Sequence, residues 1–236
     1  MKKQVIMAIM LISAFSLSAQ KQNASDLLKE AGFTAENVLS FIDMSEASYS
    51  FMASSSTVTY QASNNNTSKT KKIYTFDSSK KLGEKFTLIS VDGDTPRKKD
   101  FKHFNKEKNS TEPNEAIKLG KDDFTIQSNN EETAVIAFNI PAEQLNRQTA
   151  FMAHCTGYIY IDKKKGRIKK IQIKSNEAFN LKIFHVTEMT IDINIAYNEE
   201  YKTYYVSDEQ SKMKVLLLGS IVDFTIKEDY SDFKFN

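Results

Sequence analysis

Tryptophan is absent from this 236-residue chain, cysteine occurs once, proline three times and glycine seven times. The single Cys155 excludes an intramolecular disulfide and any zinc cluster built on cysteines. So little Gly and Pro excludes collagen-like and Pro/Gly-rich disordered chains. No segment reaches 18 uninterrupted apolar residues, so no stretch reads as a membrane-spanning helix. A charge excess is lacking too, with 32 basic against 30 acidic residues. HExxH, CxxC, G-x-S-x-G, P-loop and G-x-G-x-x-G signatures are all missing.

The remaining reactive groups do not assemble into a site. His103, His154 and His185 lie at no metal-ligand spacing. His154 and Cys155 are adjacent, and neighbours in a strand point to opposite faces, so they form no nucleophile–base pair. Cys155 reads as a buried structural thiol. The pairs Asp122-Asp123 and Glu131-Glu132 read as solvated turn residues, and Asp92-Gly93-Asp94 as a turn without the spacing of a calcium loop. The expectation is a protein that is no enzyme and carries no catalytic residue, metal or cofactor.

What the chain does have is 16 Phe and 10 Tyr in an otherwise ordinary soluble composition, 40% hydrophobic and 26% charged. Met1-Lys2-Lys3 is a short positive start, Val5 to Phe15 an apolar run, and Ser16-Leu17-Ser18-Ala19 supplies small residues. That order predicts a secretory signal peptide over 1–19, cleaved near Ala19, with one domain over 20–236. Removing Lys2 and Lys3 leaves 30 basic against 30 acidic residues. A neutral, exported chain argues against nucleic acid as a partner. The expected product is periplasmic or secreted, and peripheral at most to a membrane.

Residues 24–44 predict helix, with Ser25 as a cap, Gly32 as a stop and Thr34 capping a second segment. Strands are expected over 48–60, 70–76 and 86–91, separated by Ser/Thr/Asn-rich loop, and a helix from Pro96 to about Lys108 capped by Thr95. From Asp123 onward the pattern is nearly all β, with one short helix near Ala142 to Asn146. Glu188 to Tyr197 is the clearest strand, Met189, Ile191, Ile193 and Ile195 pointing one way and their polar neighbours the other. Met213, Val215 and Leu217 are odd-numbered, but Val222, Phe224 and Ile226 even, so the phase slips at Gly219-Ser220 and predicts a bulge or sharp bend.

About ten strands joined by short turns predict an α+β fold: a strongly curved, mainly antiparallel half-barrel sheet with helices packed on its concave face. A two-sheet sandwich is the alternative. Two basic clusters stand out, six basic residues in 97–108 and six in 163–170, read as solvated surfaces or as contacts to anionic headgroups.

This layout resembles the LolA-type superfamily of bacterial envelope proteins, which includes outer-membrane lipoprotein carriers and RseB-like sensors. The segment Phe86-Thr87-Leu88-Ile89-Ser90-Val91-Asp92-Gly93-Asp94-Thr95-Pro96 before a helix carries the resemblance, with Asp223-Phe224 and Tyr230-Ser231-Asp232-Phe233 near the end. It implies a non-catalytic protein holding a lipid, an acyl chain or a lipoprotein in an apolar half-barrel. The lining would be Phe138, Tyr158, Tyr160, Met189, Ile191, Ile193 and Ile195. Phe101 and Phe104 would act as a lid, and Arg97, Lys98 and Lys102 would contact a headgroup. The alternatives are a closed core without ligand space and an adaptor of the same fold that docks an envelope protein partner.

Overall fold

The computed structural model describes residues 23–34, 37–39, 47–109, 119–145, 149–181, 184–217 and 219–235. The signal peptide expected over 1–19 and most of the second helical segment expected after Thr34 lie outside them. Among the described residues two α-helices, α1 (Ala24–Glu30) and α2 (Lys98–Lys108), accompany eleven strands. These are β1 (Tyr49–Gln61), β2 (Asn66–Phe76), β3 (Phe86–Val91), β4 (Phe124–Asn129), β5 (Thr133–Phe138), β6 (Cys155–Asp162), β7 (Arg167–Ser175), β8 (Phe179–Leu181), β9 (Phe184–Asn198), β10 (Thr203–Leu217) and β11 (Ser220–Phe235). Among the described residues no helix is long and apolar enough to cross a membrane.

All pairings are antiparallel, in one open sheet of order β3-β2-β1-β11-β10-β9-β7-β6-β5-β4, with β8 paired to β9 alone. This is the α+β half-barrel expected of the sequence, with one strand more than counted. Register breaks at Val206/Asp208, Tyr160/Ile161 and Ser50/Met52 place extra residues in single strands. Each such bulge bends its strand and adds twist, which curls the sheet.

Both helices sit on one face. Leu27 and Leu28 of α1 and Phe104 of α2 join one core cluster with Tyr49, Phe51, Tyr74, Phe76, Ile136, Ile159 and Ile171. The Tyr204 hydroxyl donates to the Ala31 carbonyl at 3.0 Å, tying the end of α1 to β10. A second cluster of Cys155, Ile173, Phe179, Val186, Met189 and Val215 lies toward the other end of the strands, and Met152 and Ile191 touch both.

Several boundaries differ from the sequence reading. Asn23, rather than Ser25, caps α1, because Asp26 lies three residues on and completes a reciprocal capping box. Arg97, rather than Thr95, precedes α2, since the Asp100 carboxylate accepts from its backbone N–H at 2.9 Å. Residues 66–69, expected in loop, start β2: the Ser/Thr stretch pairs in full register along β1. His154 closes a short 3₁₀ turn (Ala150–His154) instead of lying within a strand. Its Nδ1 meets the Glu177 carboxylate at 2.7 Å and its ring stacks on Phe179, while burial pushes the Cys155 thiol up to about 11. The phase slip at Gly219 is a hairpin, not a bulge. Leu217 pairs with Ser220, so odd positions on β10 meet even ones on β11.

Candidate functional site

Directly paired residues of antiparallel strands share a face, so the register alone draws rows across the sheet. One row on the helix-bearing side runs Ile126, Ile136, Ile159, Ile171 and Ile193 across β4, β5, β6, β7 and β9. It continues as Glu209, Glu228, Ser55 and Lys72 across β10, β11, β1 and β2. Five isoleucines thus meet four polar residues in a single line.

The polar half of that row is a linked cluster. Glu228 is 8% exposed and receives Tyr74 Oη at 3.0 Å, Tyr230 Oη at 2.8 Å and Lys108 Nζ at 3.1 Å. Burial pushes its carboxyl up, but the Lys108 charge and these hydrogen bonds outweigh burial and hold it below its ordinary value. Glu209, directly opposite, has its pKa raised by burial first and by the Glu228 charge second; a Ser211 hydroxyl donates to it at 3.4 Å. Tyr74 and Tyr230 are both raised, by burial and then by the Glu228 charge. Lys108 also lies 5.3 Å over the Tyr74 ring.

These contacts fix α2. Phe104 packs on Tyr74 at 5.3 Å, Glu107 pairs with Lys72 at 3.1 Å, and Lys108 pairs with Glu228. Just beyond the helix, the Asn109 side-chain amide exchanges two hydrogen bonds with the Phe86 backbone at 2.9 and 3.0 Å. The anchors all fall in the last turns.

Of the residues assigned to a lining, Met189, Ile191, Ile193 and Ile195 share the helix-bearing face. So does Phe138, through the row Phe138, Gly157, Ile173, Ile191. Its ring lies against Gly157 so closely that a Cβ there would stand 2.1 Å from it. Tyr158 and Tyr160 are brought to the other side. Alternation along β6 puts them in line with Gln172 and Asp192, where the Tyr160 hydroxyl donates to Gln172 at 3.2 Å. Phe104 is buried beneath α2, whereas Phe101 is 40% exposed. The Arg97 guanidinium is held by Asp100 at 3.0 Å. Lys98 and Lys102 are exposed, and no hydrogen bond or ion pair engages them among the described residues. In the second basic cluster Lys164 pairs with Glu132, Arg167 with Glu199 and Lys170 with Asp192.

Sequence reasoning missed Tyr74, Lys108, Glu209, Glu228 and Tyr230 as a unit. The one local hint was an acid at an inward position of each strand, Glu209 four residues before Met213 and Glu228 two after Ile226. A cleft of about 300 Å³ beside Met189 is otherwise lined by polar residues, among them Lys174, Ser175, Glu177 and Glu188. Among the described residues no group of three or more His, Cys, Asp or Glu could hold a metal ion.

No protein-family profile matches the chain, and no curated protein is significantly similar to it. Solved structures do match. A LolA superfamily protein from Nitrosomonas europaea matches over 91% of this chain and 94% of its own, at 13% identity and a TM-score of 0.32. An outer membrane lipoprotein-sorting protein domain from Vibrio parahaemolyticus matches over 84% and 92%, at 12% identity and the same TM-score. The MucA/MucB complex of Pseudomonas aeruginosa matches over 90% of this chain and 99% of its own, at 8% identity and a TM-score of 0.22. No residue of this chain takes a role from those chains.

Proposed function

We propose that this is an exported, non-catalytic envelope protein that binds a lipid, an acyl chain or a lipoprotein on the helix-bearing face of its half-barrel. One observation carries the reading. The isoleucine side of the face passes into Ile191, Met213, Phe224 and Ile226, four apolar side chains on three adjacent strands that are only half-buried. An acyl chain laid along them would gain about 0.8 kcal/mol for each methylene it buries. Phe138, Met189, Ile193 and Ile195 would form the floor. Lys98 and Lys102, with Phe101 at their border, would meet the headgroup, and Phe104 would keep the helix in place.

Mass spectrometry of the protein purified without detergent tests this, together with displacement of a fluorescent fatty acid. Copurified lipid is expected, and displacement should weaken when Ile226→Lys places a charge among the four side chains. Absence of both lipid and displacement would remove the carrier reading. N-terminal sequencing of exported protein should begin near Gln20.

A second reading has its own support. The carboxylate cluster fills the β2, β1, β11 and β10 part of the same face with polar groups, Glu228 being satisfied by Tyr74 and Tyr230 of the sheet and by Lys108 of α2. A scaffold closed in this way would act as an adaptor for an envelope protein. Pull-down from membranes separates the readings, because a carrier brings lipid and an adaptor brings protein.

A further inference from the structure

Hairpin turns in this sheet are mostly polar. Residues 62–65, 130–132 and 163–166 are built from Ser, Asn, Glu and Lys with Ala62 and Gly166, and in turn 199–202 Tyr201 is stacked on Phe235 at 5.4 Å. The hairpin of β10 and β11 breaks the pattern, running Val-Leu-Leu-Leu-Gly-Ser-Ile-Val over 215–222. Leu216 and Ile221 are direct cross-strand partners, 41% and 47% exposed, on the face away from the helices. Among the described residues the other exposed large apolar ones, Met52, Leu82, Ile89, Phe101 and Tyr201, stand apart from one another in the chain, on separate elements or turns.

The apolar tip is shallow. Two residues back, about 7 Å along a strand, Lys214 lies opposite Asp223 and pairs with Glu188 at 3.2 Å. Two half-exposed side chains offer far less than the roughly 800 Å² that each partner of a stable protein complex buries. A bilayer interface sets no such minimum, and an apolar edge backed by charge matches its boundary, where interfacial elements sink about 5–10 Å.

We infer that the Leu216–Ile221 pair at the end of β10 and β11 docks on a phospholipid bilayer, the two side chains entering the interface and the Lys214 row stopping at the headgroups. Docking uses the opposite face from the proposed cargo and goes beyond that reading; it is measured on delipidated protein, so its outcome is separate from the cargo test.

Cosedimentation of the mature protein with phosphatidylcholine vesicles and with phosphatidylethanolamine/phosphatidylglycerol vesicles provides the test. Binding to both is expected, falling about tenfold in Leu216→Ser/Ile221→Ser. Since the chain has no tryptophan, Leu216→Trp adds a single reporter whose emission should shift to the blue when vesicles are added. No cosedimentation of the parent chain would overturn the inference. So would binding to the anionic vesicles alone that survives the tip substitutions and is lost in Lys98→Glu/Lys102→Glu, which would move the contact to α2. Self-association abolished by the tip substitutions, with an unshifted Leu216→Trp, would also overturn it and assign the tip to a second copy of the chain.

Discussion

One row of the sheet contains two solutions to the same problem. From β4 to β9 the inward positions are Ile126, Ile136, Ile159, Ile171 and Ile193; from β10 to β2 they are Glu209, Glu228, Ser55 and Lys72. The isoleucine half needs only shape, because burial of each side chain is favourable wherever its neighbours fit. The polar half needs partners, since a carboxylate removed from water is costly unless hydrogen-bonded and paired. Glu228 has three donors. Glu209 faces Glu228 and is in an ion pair with no cation among the described residues, and the two carboxyl pKa values are pushed in opposite directions. The difference teaches that one half is specified by packing and the other by the arrival of α2.

The sharpest challenge to that contrast is Ile171→Ala, which opens a cavity among fully buried residues. Denaturant unfolding should show a loss of about 2–5 kcal/mol. A loss below 1 kcal/mol would mean the isoleucine half is loosely packed and the contrast false.

Lys108→Met comes next. It leaves Glu228 with its two tyrosine donors and frees the last turn of α2, at a cost of about 1–3 kcal/mol, smaller than for a wholly buried pair because Lys108 is partly exposed. Hydrogen exchange within α2 should speed up, while β6 and β7 stay protected. Unchanged exchange in α2 would show that Phe104 and Asn109 hold the helix without the charge.

The smallest effect belongs to Glu209→Gln. A carboxyl whose pKa is raised by folding supports the fold fully below its unfolded value, near 4.5, and loses that support as pH climbs through its folded value. Glu228, depressed, runs the other way, with support present above 4.5 and lost as pH falls through its folded value. Removing the Glu209 charge should therefore flatten the decline above pH 4.5 and stabilise the neutral protein by about 0.2–1 kcal/mol, the range for directly opposed like charges. A decline equally steep in the variant would sink this assignment.

The isoleucine half was legible because its information is local. Period two over Glu188 to Tyr197 fixes which side chains share a face, and the register places Met189, Ile191, Ile193 and Ile195 together. The mainly antiparallel pairing followed from short turns, and the phase slip at Gly219 located a sharp change of direction, although a two-residue hairpin and a bulge leave the same parity trace. The polar half was not legible. Tyr74 and Glu228 are 154 positions apart, and their hydrogen bond exists only once β2, β1 and β11 lie side by side. Tyr158 and Tyr160 show a third limit: they alternate with Ile159 and Ile161, so the segment is apolar throughout, and hydropathy cannot say which pair faces inward.

The Asn109 amide on Phe86 has a consequence for solubility. β3 ends the sheet, and a bare final strand is a template on which a neighbouring molecule can add its own. By presenting one acceptor and one donor to the backbone of Phe86, Asn109 stands where the next strand would begin and occupies the first pair of backbone groups that an added strand would use.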